Sequence, residues 1–192
     1  NNIRYIWKEN GGQASARNVG IGKVKTEWVT FVDPDDFLNA GYFSNIDDVL
    51  IKNKDKNIKI ISCNIIMYHE RGNVYKDTHP LNFKFNGKVS LKKIDLLDKA
   101  IQLSSSSALF NHAEINNRGL YFDENVKPNF EDAHFIARYL DGLNSDYMAF
   151  LKESAYYYRK RHDESSTLDK SWTKIERFTN VLTFGYLNIL EL

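Results

Sequence analysis

Apolar and polar residues along the first part of the chain recur with the periods of strands and helices. Ile3 to Trp7 alternates as a strand does, and Gln13 to Val24 places apolar residues at helical spacing after a Gly-Gly turn. Trp28 to Val32 is a short, partly β-branched apolar run, which predicts a buried strand. Strand, helix and strand with short links predict a parallel sheet with a crossover helix, whose ligands bind beyond the carboxyl ends of the strands.

The rest of the chain predicts more helices and a sheet of mixed direction. Strands are expected over Ile58 to Tyr68, with a hairpin partner at Val74-Tyr75, and over Ser154 to Arg161. Helices are expected over Tyr42 to Ile51, from a cap at Ser90 through Ile94, Leu97 and Ala100, over Glu131 to Leu140, and over most of Leu168 to Leu192. The expected organisation is an α/β domain over residues 1–167 followed by a helical segment over residues 168–192.

Composition narrows the class of protein. With 192 residues, of which 42% are hydrophobic, the chain can bury a substantial core. Its 26 basic and 25 acidic side chains nearly cancel, so nucleic acid is not indicated as a partner. The single cysteine, Cys63, lies in an apolar run and is expected to be a buried core residue. With neither a membrane-spanning apolar stretch nor a signal peptide, the sequence predicts a cytoplasmic protein.

The turn Asp33-Pro34-Asp35-Asp36 follows the predicted buried strand and is the first candidate for chemistry. Two carboxylates separated by one residue can both face a divalent cation. Oxygen ligands suit Mg²⁺ or Mn²⁺, which neutralise the charge of a diphosphate leaving group. The alternative is a solvated turn that caps the next helix, because Asp and Pro are common in both settings.

The pair Glu131-Asp132 is the second candidate. It opens a predicted helix, where the positive end of the helix dipole favours ionised carboxylates, so capping alone could explain it. A functional interpretation makes one of the two a general base that removes a proton from an attacking sugar hydroxyl.

The basic segment from Arg159 to His162 is the third candidate, at the end of the predicted aromatic strand. Arginine offers a planar fork that matches phosphate oxygens, and His162 could ligate a metal ion. The alternative is a solvated basic loop. Other chemistries lack their motifs, since Gly20-Ile21-Gly22 is not followed by the third glycine of a dinucleotide fingerprint and no histidine has zinc-ligand spacing.

Three segments in this order resemble inverting glycosyltransferases of family 2, which have the GT-A fold: Asn10 to Ile21, Trp28 to Asp36, and Phe130 to Asp132. The resemblance extends to about Ser165. It implies an α/β fold of the GT-A (Rossmann-like) type, with a mixed sheet flanked by helices. Family members begin with strands that bind the nucleotide base. Because the chain opens at Asn1 without them and without a methionine, we expect a fragment that lacks the first nucleotide-binding strands.

The resemblance also implies roles for individual residues. Asp33 would lie at the nucleotide ribose and the metal, and Asp35 at the metal and the diphosphate. Asp132 would be the catalytic base, with Glu131 beside it as an acceptor contact. The segment that contains Arg159 and Arg161 resembles a loop that closes over the donor diphosphate, and His162 could join the metal ligands.

The expected function is therefore metal-dependent, inverting transfer of a sugar from a nucleotide-sugar donor, with a UDP-sugar expected. The acceptor would be a hydroxyl group of a glycan or polyol phosphate in bacterial surface-polysaccharide synthesis. Peripheral association of the full-length protein with the inner face of the membrane stays open. Two alternatives also stay open, namely a non-catalytic carbohydrate-binding module derived from a transferase and a sugar nucleotidyltransferase.

Overall fold

The computed structural model describes residues 3–77, 79–95, 103–127, 130–143, 146–162 and 179–190. Its helices are α1 (Gly12–Ile21), α2 (Tyr42–Lys52), α3 (His112–Asn117), α4 (Glu131–Leu140) and α5 (Leu187–Leu190), the last of which continues a π-helical turn over Val181–Tyr186. Its strands are β1 (Trp28–Thr30), β2 (Phe37–Leu38), β3 (Ile58–His69), β4 (Val74–Lys76), β5 (Val89–Lys93), β6 (Ala108–Asn111) and β7 (Tyr147–Lys160), with a short 3₁₀ helix over Asn82–Lys84.

The seven strands in the described part of the chain form one mixed sheet. The strand order is β1-β6-β3-β7-β2, while β4 pairs with the end of β3 and β5 with the start of β7. The two longest strands, β3 and β7, run parallel side by side, and the other strand pairs are antiparallel. The sheet is therefore built around a central parallel pair that carries shorter antiparallel strands on both sides.

The central part of the sheet buries residues on both of its faces, to which neighbouring residues on a strand point alternately. Ile60 packs with Phe110 and Phe150 against residues of α1 and α4. Ile61 packs with Leu109 and other residues against the apolar side of α2. The core consequently has two layers, and helices cover the sheet on both sides.

Most of the elements expected from the sequence are confirmed. Helix α4 has the predicted bounds, α1 and α2 differ by a few residues at their ends, and β3 and β4 form the predicted hairpin. Strand β7 is confirmed but begins earlier, at Tyr147. Cys63 is fully buried, and burial raises the pKa of its thiol to about 12, as expected of a core residue.

Three expectations are wrong. Ile3 to Trp7 does not form a strand and is mostly exposed, because alternation alone supplies neither a partner strand nor a surface to pack on. Ser90 does not cap a helix: it lies in β5 opposite Phe150, where pairing with β7 overrides the helical spacing. Helix α1 is not a crossover between parallel strands, because no strand precedes it in the described residues and β1 pairs antiparallel with β6.

Two other expectations fall partly or wholly on residues that the structure does not describe. Leu97 and Ala100 lie outside the described residues, as do residues 168–178 and 191–192 of the C-terminal segment. Within that segment, residues 179–190 are helical. The division into residues 1–167 and 168–192 stays a prediction.

Candidate active site

Arg17 lies at the centre of the site and joins the two acidic motifs. Its guanidinium donates hydrogen bonds to Asp132 and, at 3.1 Å, to Oδ1 of Asp33. The same group lies 3.7 Å from Oε1 of Glu131. Arg17 is 115 residues from Asp132 in sequence, so the fold brings together the motifs that the sequence could only place in order.

The surroundings of Arg17 suit a buried cation. Its side chain is 8% exposed, and its guanidinium lies over the rings of Phe122 and Phe31, at 5.3 and 5.9 Å from their centroids. Burial alone would lower the pKa of Arg17, but the charges of Asp132, Asp33 and Glu131 outweigh it and raise the pKa. Arg17 therefore remains charged and holds the carboxylates in place.

Asp132 lies in the first turn of α4 with its carboxylate held at both oxygens. One oxygen accepts from Arg17, and Oδ2 accepts a hydrogen bond of 3.0 Å from the backbone N–H of Ser105. Phe130, just before the helix, has a φ of 80°, a left-handed conformation that is uncommon for a bulky residue. The side chain of Asp132 is 24% exposed, so its carboxylate is oriented by the protein yet reachable by a ligand.

Asp33 follows β1 and is fixed by several groups. Oδ1 accepts from Arg17, and weaker contacts of 3.4 Å come from Nε2 of Gln13 and from Oγ of Ser106. The backbone N–H of Asp33 donates to the Tyr156 hydroxyl at 3.2 Å. Like Asp132, Asp33 keeps about a quarter of its side chain exposed.

Asp36 attaches the acidic turn to the end of β7. Its carboxylate accepts hydrogen bonds from the Tyr156 hydroxyl, at 2.5 Å, and from the backbone N–H of Arg159, at 2.8 Å. Burial raises the pKa of Asp36, against the effect of these two hydrogen bonds. In this arrangement Asp36 positions the turn, while the side chains of Asp33 and Asp35 are 23% and 30% exposed.

The basic segment from Arg159 to His162 contacts the acidic turn. Arg161 forms an ion pair of 2.8 Å with Asp35, and Arg159 forms one with Glu70. The backbone N–H of His162 donates to Glu70 at 3.1 Å. The structure thus places the predicted diphosphate-binding arginines beside the predicted metal-binding turn.

Glu131 is buried next to Asp132. Its Oε2 has no hydrogen-bond partner among the described residues. Burial, helped by the charge of Asp132, raises the pKa of Glu131 to about 7. Of the two adjacent carboxyl groups, Asp132 is the more exposed and the better placed to touch a ligand.

Residues 1–112, more than half of the chain, match the sequence profile of the family described as Glycosyl transferase family 2. The chain belongs to this family.

Two bacterial relatives resemble the chain over nearly its whole length. The minor teichoic acid biosynthesis protein GgaA of Bacillus subtilis (strain 168) is 28% identical over 99% of this chain and 41% of its own length. Poly(ribitol-phosphate) beta-N-acetylglucosaminyltransferase TarS of Staphylococcus aureus (strain Mu50 / ATCC 700699) is 22% identical over 98% of the chain and 30% of its own length. The chain therefore spans less than half of either relative.

Solved structures show the same fold. A crystal structure of S. aureus TarS in complex with UDP-GlcNAc matches with a TM-score of 0.65 at 20% identity, over 92% of this chain and 46% of that one. GalNAc-T7 with UDP, GalNAc and Mn²⁺ matches with a TM-score of 0.57 at 11% identity, over 94% of this chain and 34% of that one. The expected α/β fold of GT-A type, a mixed sheet with flanking helices, is confirmed.

The acidic turn of this family 2 chain offers a small set of metal ligands. The described residues contain no cluster of three or more His, Cys, Asp or Glu side chains that could enclose a metal ion. Asp33 and Asp35 are, however, partly exposed oxygen donors on one turn. Mg²⁺ commonly uses one or two carboxylates together with substrate phosphates, so the residues present fit a cation that is completed by its ligand.

Sequence reasoning missed Arg17 as a site residue, although one signal was available. Arg17 falls at helical spacing with Ala14 and Ile21, both buried in α1. An arginine on a buried face needs carboxylate partners, and Asp33 and Asp132 were already candidates.

The sequence contains no apolar stretch of membrane-spanning length, and the helices agree with this: across the described ranges, every helix is too short or too polar to cross a bilayer.

Proposed function

We propose that this chain provides the transfer site of a glycosyltransferase in the synthesis of a teichoic-acid-type polymer. The enzyme would move a sugar from a nucleotide-sugar donor, a UDP-sugar, to a hydroxyl group of a polyol-phosphate or glycan acceptor. One observation carries the proposal, namely that Arg17 holds Asp33 of the acidic turn and Asp132 of the second acidic motif in a single site.

Asp132 acts as the general base of the transfer. Its carboxylate takes the proton of the acceptor hydroxyl as the hydroxyl oxygen attacks the anomeric carbon of the donor. The new glycosidic bond forms on the face opposite the departing nucleoside diphosphate, so the configuration inverts. Arg17 and the backbone N–H of Ser105 orient the carboxylate before the acceptor arrives, which lowers the entropy cost of reaching the reactive geometry.

The donor side is formed by the acidic turn and the end of β7. Asp35 and Asp33 would hold Mg²⁺ or Mn²⁺, with His162 as a further predicted ligand, and the cation would neutralise charge on the diphosphate leaving group. Arg159 and Arg161 would contact the same diphosphate, because each side chain is about 40% exposed beside its present carboxylate partner.

The relatives support the choice of donor and acceptor. TarS is named as a poly(ribitol-phosphate) beta-N-acetylglucosaminyltransferase and was crystallised with UDP-GlcNAc, while GgaA is named for minor teichoic acid synthesis. We further propose that the protein works in the cytoplasm at the inner face of the membrane. The near balance of its 26 basic and 25 acidic side chains favours no nucleic-acid partner. Residues 1–167 would form the transfer domain, and residues 168–192 a helical segment attached to it.

Replacing Asp132 by asparagine tests the base assignment. Asn keeps the shape of the side chain but cannot accept the proton, so we expect sugar transfer by the complete protein to fall by at least about 100-fold. The dissociation constant for the nucleotide-sugar donor should stay within about twofold of the wild-type value. Transfer is measured by release of nucleoside diphosphate and by mass spectrometry of the product, and donor binding by calorimetry.

The matched control is Asp48→Asn, which makes the same chemical change at a carboxylate of α2 that is 70% exposed. This control should retain wild-type transfer. Transfer by Asp132→Asn at the wild-type rate would refute the base assignment. A wild-type protein that binds the donor but releases no diphosphate with any polyol-phosphate or glycan acceptor would instead support the carbohydrate-binding module.

A further inference from the structure

Four aromatic side chains from four different strands form a continuous surface beside the candidate active site. Phe37 of β2 stacks on Tyr157 of β7 at 4.7 Å between ring centroids, and Tyr68 of β3 stacks on Tyr75 of β4 at 4.8 Å. Edge-to-face contacts of 5.7 Å join Phe37 to Tyr68 and Tyr75 to Tyr157. We call these four residues the aromatic patch.

The rings of the aromatic patch lie on one face of the sheet and reach solvent. Phe37 is directly opposite Tyr157, and Tyr68 is directly opposite Tyr75, so each pair projects to the same side. Tyr75 is 52% exposed and Phe37 is 38% exposed. Four clustered aromatic rings that remain partly accessible are typical of a binding surface rather than of a core.

The aromatic patch is continuous with the proposed transfer site. Tyr157 and Arg159 project to the same face of β7, because side chains alternate along a strand. Arg161 follows and pairs with Asp35 of the acidic turn. Phe37 is two residues after Asp35, which limits the separation of their Cα atoms to about 7 Å.

The edge of the aromatic patch carries two ion pairs, in which the positive and negative charges cancel. Arg159 pairs with Glu70 and Arg161 with Asp35, and all four side chains are between 30% and 41% exposed. An apolar protein surface or a lipid layer placed over these ion pairs would strip water from four charged groups. A hydroxyl-rich chain would instead offer each of them hydrogen bonds, while its C–H groups pack on the rings.

We propose that the aromatic patch binds a polyol segment of the acceptor chain and holds the chain beside the transfer site. The inference rests on the proposed function, because that function supplies a polyol-phosphate acceptor. The carbon chain of the polyol packs on the four rings, and its hydroxyl groups hydrogen-bond to the paired charges at the edge of the aromatic patch. The aromatic patch thus contributes to acceptor affinity and takes no part in the chemical step.

Alanine substitutions at the two most exposed rings test the proposal. In Phe37→Ala and in Tyr75→Ala of the complete protein, the dissociation constant for a synthetic ribitol phosphate oligomer should rise about five- to tenfold, as loss of one ring contact predicts. The control is Phe83→Ala, which removes an exposed ring of the 3₁₀ helix outside the patch and should stay within about twofold of wild type. Calorimetry gives the constants, and UDP affinity with a thermal melt shows that each variant is folded.

The outcomes separate this inference from the proposed function. Oligomer binding unchanged in both variants, or a change of oligomeric state in place of a change in oligomer binding, would overturn the aromatic patch as an acceptor site. If Phe37→Ala fails to fold, Tyr75→Ala decides alone, because Tyr75 lies on the exposed strand β4. A wild-type protein that binds the oligomer through the patch but transfers no sugar to it would refute the proposed function and leave the binding site standing.

Discussion

Burial and the charge of Arg17 act in opposite directions on the pKa of Glu131. Burial is the larger effect and favours the neutral carboxyl, the nearby charge of Asp132 adds to it, and the charge of Arg17 opposes both. The resulting pKa of about 7 exceeds the ordinary value of 4.5 for a glutamate. Glu131 therefore holds a proton in the folded protein at pH values where it has lost it in the unfolded chain.

This difference predicts how stability depends on pH. Below about pH 4.5 both states are protonated, and between about 4.5 and 7 only the folded state is, so folding becomes less favourable as pH rises through this window. The loss levels off above the folded pKa and is on the order of 3 kcal/mol. Glu131→Gln should remove this component, so the variant should gain free energy of unfolding relative to wild type between pH 5 and pH 8.

Urea denaturation at pH 5, 6 and 8 measures the effect. The control is Glu153→Gln, because Glu153 is half exposed and its ion pair with Lys88 lies at the surface. The control should follow the pH dependence of the wild type. Parallel curves for wild type and Glu131→Gln would show that the proton of Glu131 is not coupled to folding.

Sequence could identify the carboxylates of the site but not the residue that joins them. Asp33, Asp35 and Asp132 stand in short motifs whose residue types point to metal binding and proton transfer. Arg17 acquires its role only from contacts between residues distant in sequence, and a linear pattern does not encode such contacts. Burial of Glu131 likewise depends on how α4 packs, so its raised pKa could not be inferred from its neighbours in the chain.

At the level of elements, the C-terminal helical residues pack on the start of α4. A Cβ atom added at Gly185 would lie 2.6 Å from Cδ1 of Phe130, closer than real Cβ contacts allow. Gly185→Ala should therefore lower the free energy of unfolding by about 1–3 kcal/mol through overpacking. Gly20, within α1, has open space around its Cβ position, so Gly20→Ala should raise the free energy of unfolding by about 0.5–1 kcal/mol through helix propensity.

Chemical denaturation of both variants tests this contrast, because the same change from glycine to alanine should lower the free energy of unfolding at Gly185 and raise it at Gly20. Equal stability of Gly185→Ala and wild type would mean that the C-terminal residues do not press on Phe130 in solution. Loss of stability in Gly20→Ala would mean that the surroundings of α1 are more crowded than the structure shows.

Elements with a complete local signal could be predicted, and elements that depend on a partner could not. Helix α4 has an apolar side that faces the core along its whole length, and its predicted bounds are those observed. Ile3 to Trp7 alternates, but no neighbouring strand pairs with it in the described part of the chain. Serine is a favourable helix-cap residue, but Ser90 lies in a segment that pairs with β7. Strand pairing there contributes more to stability than a local cap.

At the scale of the whole molecule, the site forms where α1, the turn after β1, the start of α4 and the end of β7 converge. Arg17 and Asp33 are 16 residues apart in sequence, whereas Asp132 lies 115 residues from Arg17 and Arg161 lies 126 residues from Asp35. Ion pairs within this site hold its parts together before any ligand arrives. A ligand that binds there must replace some of these ion pairs. The affinity for the anionic donor should therefore depend on whether a cation binds with it.

Sugar transfer at this site should depend on a divalent cation. A donor diphosphate carries negative charge into a site where Arg159 and Arg161 already have carboxylate partners, so transfer should need an added cation. Treatment of the complete protein with EDTA should abolish diphosphate release, and Mn²⁺ or Mg²⁺ should restore it. Asp35→Asn should raise the half-saturating metal concentration by about tenfold, whereas Asp55→Asn, at an exposed carboxylate far from the turn in sequence, should leave it unchanged. Full transfer in the presence of EDTA would remove the metal from the mechanism and leave neutralisation of the leaving group to the two arginines.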